Sequence, residues 1–167
     1  MVDRDSRGHW TAMHAVLLTW NPGPDDDYVW SPETWEREVV DAIEANGPVA
    51  TTWGVGRHVN GIDPGDTAFL YRQGPHGRGI VARGVIRSTP WTAPHWDPER
   101  SRRGAATRVV DLELVEAVPL AEAIEVTELE MATPEFPWRK VYSSGRRTPP
   151  SVTERLLHLW RLHHDDG

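Results

Sequence analysis

The stretch ATRVVDLELVEAV, residues 106–118, constrains the fold more than any other part of the chain. Side chains alternate between faces along a strand, so Val110, Leu112 and Leu114 point one way while Asp111 and Glu113 point the other. One face must be covered and the other must meet water, which is the pattern of an antiparallel sheet packed on one side. Shorter segments also read as strands: HAVLLTW (14–20), VATTW (49–53), TAFLYRQ (67–73) and IVARGVIRS (80–88). NGIDPGD connects two of them with turn residues, and GPHGRG forms a hairpin connection in which His76 and Arg78 are positioned to touch phosphate.

Helical spacing appears in three places. In SPETWEREVVDAIEANGP, Ser31 is placed as N-cap and Pro32 as the first helical residue, with Trp35, Val39, Ala42 and Ile43 on one face and Gly47 and Pro48 as terminators. LAEAIEVTELEM (120–131) predicts a short amphipathic helix. SVTERLLHLWRL (151–162) predicts the last one, with Ser151 and Glu154 in capping-box spacing and Leu156, Leu159 and Trp160 inward. Residues 89–105 read as a loop. Residues 1–12 lack periodicity and are expected to be a disordered tail, as are residues 163–167, which leaves one domain over 13–162. The expected fold is α+β, a small curved antiparallel β-barrel or open barrel of about five or six strands flanked by helices.

Several function classes are excluded at this level. The chain has no cysteine, so disulfides, thiolate metal sites and cysteine nucleophiles are absent together. No apolar run approaches the roughly 20 residues of a membrane-spanning helix, so a cytoplasmic location without a membrane partner is expected. His158 and His163 are not spaced for one helical face, and no Ser, His and Asp fall in an order that demands a catalytic triad. No metal or cofactor is expected. GVGRHVNG lacks the glycine pattern of a dinucleotide-binding turn.

The net charge of −7 is unevenly distributed. Residues 1–71 hold 12 acids and 4 bases, and residues 109–138 hold 8 acids and no base. Residues 72–108 hold 8 Arg against 2 acids, and residues 139–167 hold 6 bases against 3 acids. The two basic segments are expected to converge on one polyanion-binding face.

Nine tryptophans are many for 167 residues. Trp35 and Trp160 lie on apolar helix faces and are expected in the core. Trp20, Trp53, Trp91 and Trp96 instead lie at strand ends or in loops beside Asn, Gly, Pro, Asp and Arg. Plugging the barrel mouth is one use for such rings. Walling a slot for a planar ligand is the other, because each base stacked on an aromatic ring contributes about 1–3 kcal/mol.

The order and spacing of LLTWNP, TTWGVGRH, GIDPGDTAFLYRQG, GIVARGVI, PHWDPER and SSGRRTPPSV resemble the EVE domain, a relative of the YTH domain among the PUA-like folds, over about residues 14–162. The resemblance implies a PUA-like barrel that binds a modified nucleobase in DNA or RNA, such as methylated cytosine or adenine, in an aromatic cage. Trp53 and Trp96 match the cage walls, with Trp91 as a third. Trp20 and Asn21 match the source of polar contacts to the base edge. Ser143 and Ser144, with Arg146 and Arg147, match a segment near the backbone-binding face. Arg72, Arg78, Arg100, Arg102 and Arg103 complete the set expected to neutralise phosphates. EVE modules occur fused to nucleases, so a nuclease or other effector encoded separately is an expected partner. The reading favours a binding module without enzymatic activity. The alternatives are an enzyme acting on modified nucleosides, with His58 and Asp97 aimed at the ligand, and a protein-interaction module.

Overall fold

The computed structural model describes residues 2–4, 10–22, 30–58, 60–74, 77–95 and 97–165. The strands are β1 (Val2–Arg4), β2 (Trp10–Ala12), β3 (Ala15–Trp20), β4 (Val49–Gly54), β5 (Thr67–Arg72), β6 (Gly79–Ile86), β7 (Trp91–Pro94), β8 (Ala106–Ala117), β9 (Ile124–Glu125) and β10 (Arg146–Arg147). The helices are α1 (Asp41–Asn46), which continues a π-helical stretch over Glu36–Val40, then α2 (Pro98–Arg102), α3 (Val126–Ala132) and α4 (Pro150–Asp165).

Eight strands form one sheet in the order β10-β3-β5-β6-β8-β4, with β7 also paired to β8 and β9 to β6. The fold is α+β as expected, but the sheet is larger than five or six strands and is mixed, because β3 and β5 run parallel from Ala15↔Thr67 to Trp20↔Arg72. Among the described residues no ladder joins β4 to β3 or β10, so the sheet stays open where barrel closure was expected. β1 and β2 pair with each other inside the stretch read as a tail, and α4 runs on to Asp165.

The alternation in β8 holds: Val110, Leu112 and Leu114 are buried and Asp111 is exposed. Cross-strand order gives these residues the partners Trp53, Thr51 and Val49 on β4. Core residues occupy both faces of the central strands. Val16, Leu18 and Trp20 of β3 join Ala68 and Leu70 of β5, under Trp35 and Val39. The intervening Ala15, Leu17, Phe69 and Tyr71 pack on the other face against Leu129, Trp138, Leu156 and Trp160. This two-sided cover explains why AVLLTW and TAFLYR read as nearly continuous apolar runs.

Ser31 caps as expected, its Oγ accepting from Thr34 N–H at 3.3 Å. Ser151 does not, because α4 already begins at Pro150. The start of α4 is tied down instead by Thr148 and Thr153, whose hydroxyls lie 2.7 Å apart and both accept from Ala15 N–H. LAEAIEVTELEM is not one helix: a 3-10 turn (Leu120–Glu122) and β9 precede α3. The loop read at 89–105 contains β7 and α2, the latter capped by Asp97 accepting from Glu99 N–H at 3.0 Å.

α4 is fixed to the sheet through Glu116, which accepts from Trp160 Nε1 at 3.1 Å and from its cross-strand neighbour Arg83 at 2.5 Å. Burial alone would raise the Glu116 carboxyl, but the Arg83 and Trp160 hydrogen bonds and the Arg83 and His164 charges hold it below its usual value.

Tyr71 donates to Trp138 C=O at 3.1 Å, and burial pushes its phenol up to about 12 against the lowering influence of Arg78 and Arg139. An unfolded tyrosine titrates near 10, so between about pH 10 and pH 12 the folded state keeps a proton that the unfolded state has lost. Stability therefore falls as pH rises through that window. Tyr71→Phe should remove this part of the alkaline loss while costing about 1 kcal/mol near neutrality for the missing hydrogen bond. Urea midpoints of the two proteins at about pH 8 and about pH 11 test it; a parallel decline in both would refute the assignment.

Candidate functional site

The open edge of the sheet is bridged by side chains and loops. Trp53 Nε1 donates to Thr19 C=O at 2.9 Å, which joins the end of β4 to the end of β3. Thr19 N–H donates to Ser144 Oγ at 3.1 Å, and Gly145 N–H to Leu17 C=O at 2.8 Å. His58 Nε2 lies 3.0 Å from Ser143 Oγ. The Arg147 guanidinium rests against Gly61, where a Cβ would collide with it. Trp20 C=O accepts from Gln73 N–H at 2.7 Å, and Asn21 Oδ1 lies over Gly74, so the ends of the parallel strands β3 and β5 meet at the same place.

Four indoles fill the space behind this seam. Trp20 and Trp35 have ring centroids 4.9 Å apart, and Trp30 meets Trp35 edge-on at 5.6 Å. Trp30 and Trp53 are stacked, with centroids 5.7 Å apart and planes 21° apart. Trp20 is fully buried and Trp53 only 5% exposed. Among the described residues, Trp20 Nε1 is a buried donor without a hydrogen-bond acceptor, an omission that costs on the order of 1–3 kcal/mol.

The structure brings Trp20, Asn21, Arg72, Trp53, Ser143, Ser144 and Arg147 to one end of the sheet, but not with the geometry expected. Walls one base-thickness apart would stand about 7 Å from each other, twice the ~3.4 Å spacing of stacked bases. The face of Trp53 is already covered by Trp30, a residue that local pattern does not single out, because its stacking partner lies 23 positions away. Trp96 lies outside the described residues, as does His76. Trp91 is not a third wall. It stands opposite Val109 and Trp53 opposite Val110, so the two rings leave opposite faces of the sheet. Trp91 is 41% exposed and donates to Asp111 at 3.0 Å.

The cations converge only in part. Arg72 aligns with Trp20 across the parallel pair, and burial lowers its guanidinium from the usual value. Arg146 lies over the Phe136 ring at 5.0 Å and donates to Lys140 C=O at 3.4 Å. Arg78 is turned away, donating to Arg139 C=O at 3.3 Å on the Tyr71 side of the sheet. On and beside α2, Arg100 pairs with Asp97 at 3.8 Å and Arg103 with Glu99 at 2.8 Å, while Arg102 is exposed. Arg83 and Arg87 are met by Glu116 and Glu113 across the strands. Of the two candidate acid–base groups, His58 meets Ser143 and Asp97 caps α2, so they serve separate elements. Among the described residues no three His, Asp or Glu are grouped to hold a metal, and no helix is long and apolar enough to cross a membrane.

No family model matches the sequence, and no curated protein matches it. Solved structures do. A hypothetical protein of Leishmania major superposes with a TM-score of 0.57 at 12% identity, covering 92% of this chain and 96% of its own. Human THYN1, solved in complex with DNA containing 5-methylcytosine, has a TM-score of 0.55 at 16% identity, covering 90% and 97%. A Pseudomonas syringae protein gives 0.55 at 16%, covering 88% and 99%. At these identities the likeness is one of fold.

Gly145 sits at the crossing of the seam with φ +100°, and a Cβ there would lie 2.8 Å from His58 Cβ and 2.9 Å from Val55 O. Gly47, with φ +84°, has open space around it. Gly47→Ala should therefore lower stability by about 1–3 kcal/mol through backbone strain alone, and Gly145→Ala by visibly more, since the close contacts add to it. Thermal midpoints resolve this at roughly 3 °C per kcal/mol; equal shifts would contradict the close approach.

Proposed function

We propose that this chain, an EVE-like domain in its fold, binds a modified nucleobase of DNA or RNA at the seam between β3 and β4 and leaves it chemically unchanged. The observation that carries the reading is the Trp30–Trp53 stack at 5.7 Å and 21°. Trp53 is held edge-on by its N–H bond to Thr19, which leaves its ring face as a flat apolar surface, and that face already has a planar heterocycle on it. A base extruded from its strand is a ring system of similar thickness. It would take the position of the Trp30 indole, and stacking worth about 1–3 kcal/mol would offset part of the few kcal/mol of extrusion.

The remaining groups have consistent roles in this reading. Among the described residues the Trp20 N–H lacks an acceptor, and a base edge carries carbonyl and ring-nitrogen acceptors. Asn21 stands at the end of the same strand as a second polar contact. Arg147, whose guanidinium rests against Gly61 beside the seam, would serve as the phosphate contact, since Arg suits bidentate bonding, whereas Arg146 lies over Phe136 on the Tyr71 side of the sheet. The fold shared with human THYN1, solved with 5-methylcytosine-containing DNA, supports the same class of ligand. A separately encoded nuclease or other effector would act on what this domain marks.

Fluorescence anisotropy with labelled DNA and RNA oligonucleotides, carrying 5-methylcytosine, N6-methyladenine or neither, tests the reading. One modified oligonucleotide should bind tighter than its unmodified counterpart, and its modified nucleoside should keep its mass on incubation. Trp30→Ala, which removes the competing ring, should tighten binding, whereas Trp53→Ala should weaken it about 5- to 150-fold in protein shown to be folded. Arg147→Gln should weaken all oligonucleotides alike and flatten the salt dependence by about one unit of slope. Equal affinity for every oligonucleotide would reject base recognition.

A further inference from the structure

Tyr142 is 81% exposed, although the backbone on both sides of it is held. On one side Val141 is buried and its carbonyl accepts from the Gln73 side-chain amide. Gln73 N–H in turn donates to Trp20 C=O, so this anchor leads straight to the strand end that carries the Trp cluster. On the other side Ser143 Oγ lies 3.0 Å from His58 Nε2, and Ser144 Oγ accepts from Thr19 N–H at 3.1 Å. The phenol ring is thus presented to solvent by a loop fixed on each flank, within two residues, or about 7.6 Å of chain, of the seam.

Isolated exposed apolar residues are ordinary on protein surfaces. Tyr142 differs from the equally exposed Met131 (84%) in its surroundings. Its loop carries Arg139, Lys140, Arg146 and Arg147 and no acid between residues 136 and 153, and Arg146 is braced by its bond to Lys140 C=O and its position over Phe136. An aromatic ring among cations on an anchored loop is the composition of a single-strand binding surface, where rings take bases and Arg or Lys takes the backbone.

We propose that Tyr142 is a second stacking platform, taking the base of a nucleotide that neighbours the one held at Trp53. The inference rests on the reading above and extends it: the ligand is a single-stranded or locally opened polynucleotide of at least two nucleotides, not a free modified nucleoside. Because every base has a π-face, this second position tolerates any base.

Two ligands separate the platforms: the modified nucleoside alone, and the same modification within an oligonucleotide of about ten nucleotides, a length within the span of such binding surfaces. Tyr142→Ala should weaken the oligonucleotide about 5- to 150-fold, Tyr142→Phe should retain most of its affinity, and the nucleoside should bind all three proteins alike. Tyr142 is exposed, so its substitution leaves the core intact, and a melting curve checks this. If Tyr142→Ala binds the oligonucleotide as wild type does, while Trp53→Ala does not, the second platform is refuted and the base site stands. Equal losses for nucleoside and oligonucleotide would refute it too, by placing Tyr142 in the first site. If wild-type protein binds neither ligand, both readings fall.

Discussion

The Trp53 indole N–H reaches Thr19 C=O across 2.9 Å, from β4 to β3, where among the described residues no ladder joins the two strands. A ladder there would hold the backbones about 4.8 Å apart and leave no room for rings. A side-chain bridge sets a wider gap, and the neighbouring contacts, Thr19 to Ser144 and His58 to Ser143, keep the gap from fraying. Four indoles occupy the width so created. The open sheet and the aromatic cluster are therefore one feature: the incomplete closure makes the space, and the Trp rings give it a flat, apolar lining.

Both faces of β3 and β5 are buried, and the one charged residue of the two strands, Arg72, stands at the end of β5. Charged residues stand instead on the outer face of β8, on the helices and on the 139–147 loop. On β8 the carboxylates of Glu113 and Glu116 answer Arg87 and Arg83 across the sheet, so much of the arginine in residues 72–108 is neutralised locally. The loop at 139–147 meets fewer acids, Arg139 with Glu130 being its ion pair among the described residues, and Ser144 ties it to Thr19 beside the indoles. The positive surface near the seam therefore comes mainly from this short loop, with Arg72 behind it, and not from the larger arginine count upstream.

Local pattern made several elements legible. Alternation identified β8 and its buried face, Ser31 and Gly47 bracketed the first helix, and the inward places of Trp35, Leu156 and Trp160 followed from helical spacing. The LLTWNP, TTWGVGRH and SSGRRTPPSV segments come together in the fold, Trp53 and Ser144 both hydrogen-bonding Thr19, the residue before Trp20. Trp91 was misread for a definable reason. Its neighbours are polar, as are those of Trp53, but a strand residue's face depends on its register, and Val109 and Val110 send the two rings to opposite sides.

By itself the sequence determined which residues of β8 and of the first and last helices face inward, and which rings lie near chain breakers, because propensity and periodicity act over a few residues. Only the tertiary structure decided that β3 pairs parallel with β5, that the sheet stays open beside β4, and that Trp30 lies flat on Trp53. Those outcomes depend on which distant segments compete for the same hydrogen bonds and the same buried volume, and no window along the chain contains both competitors.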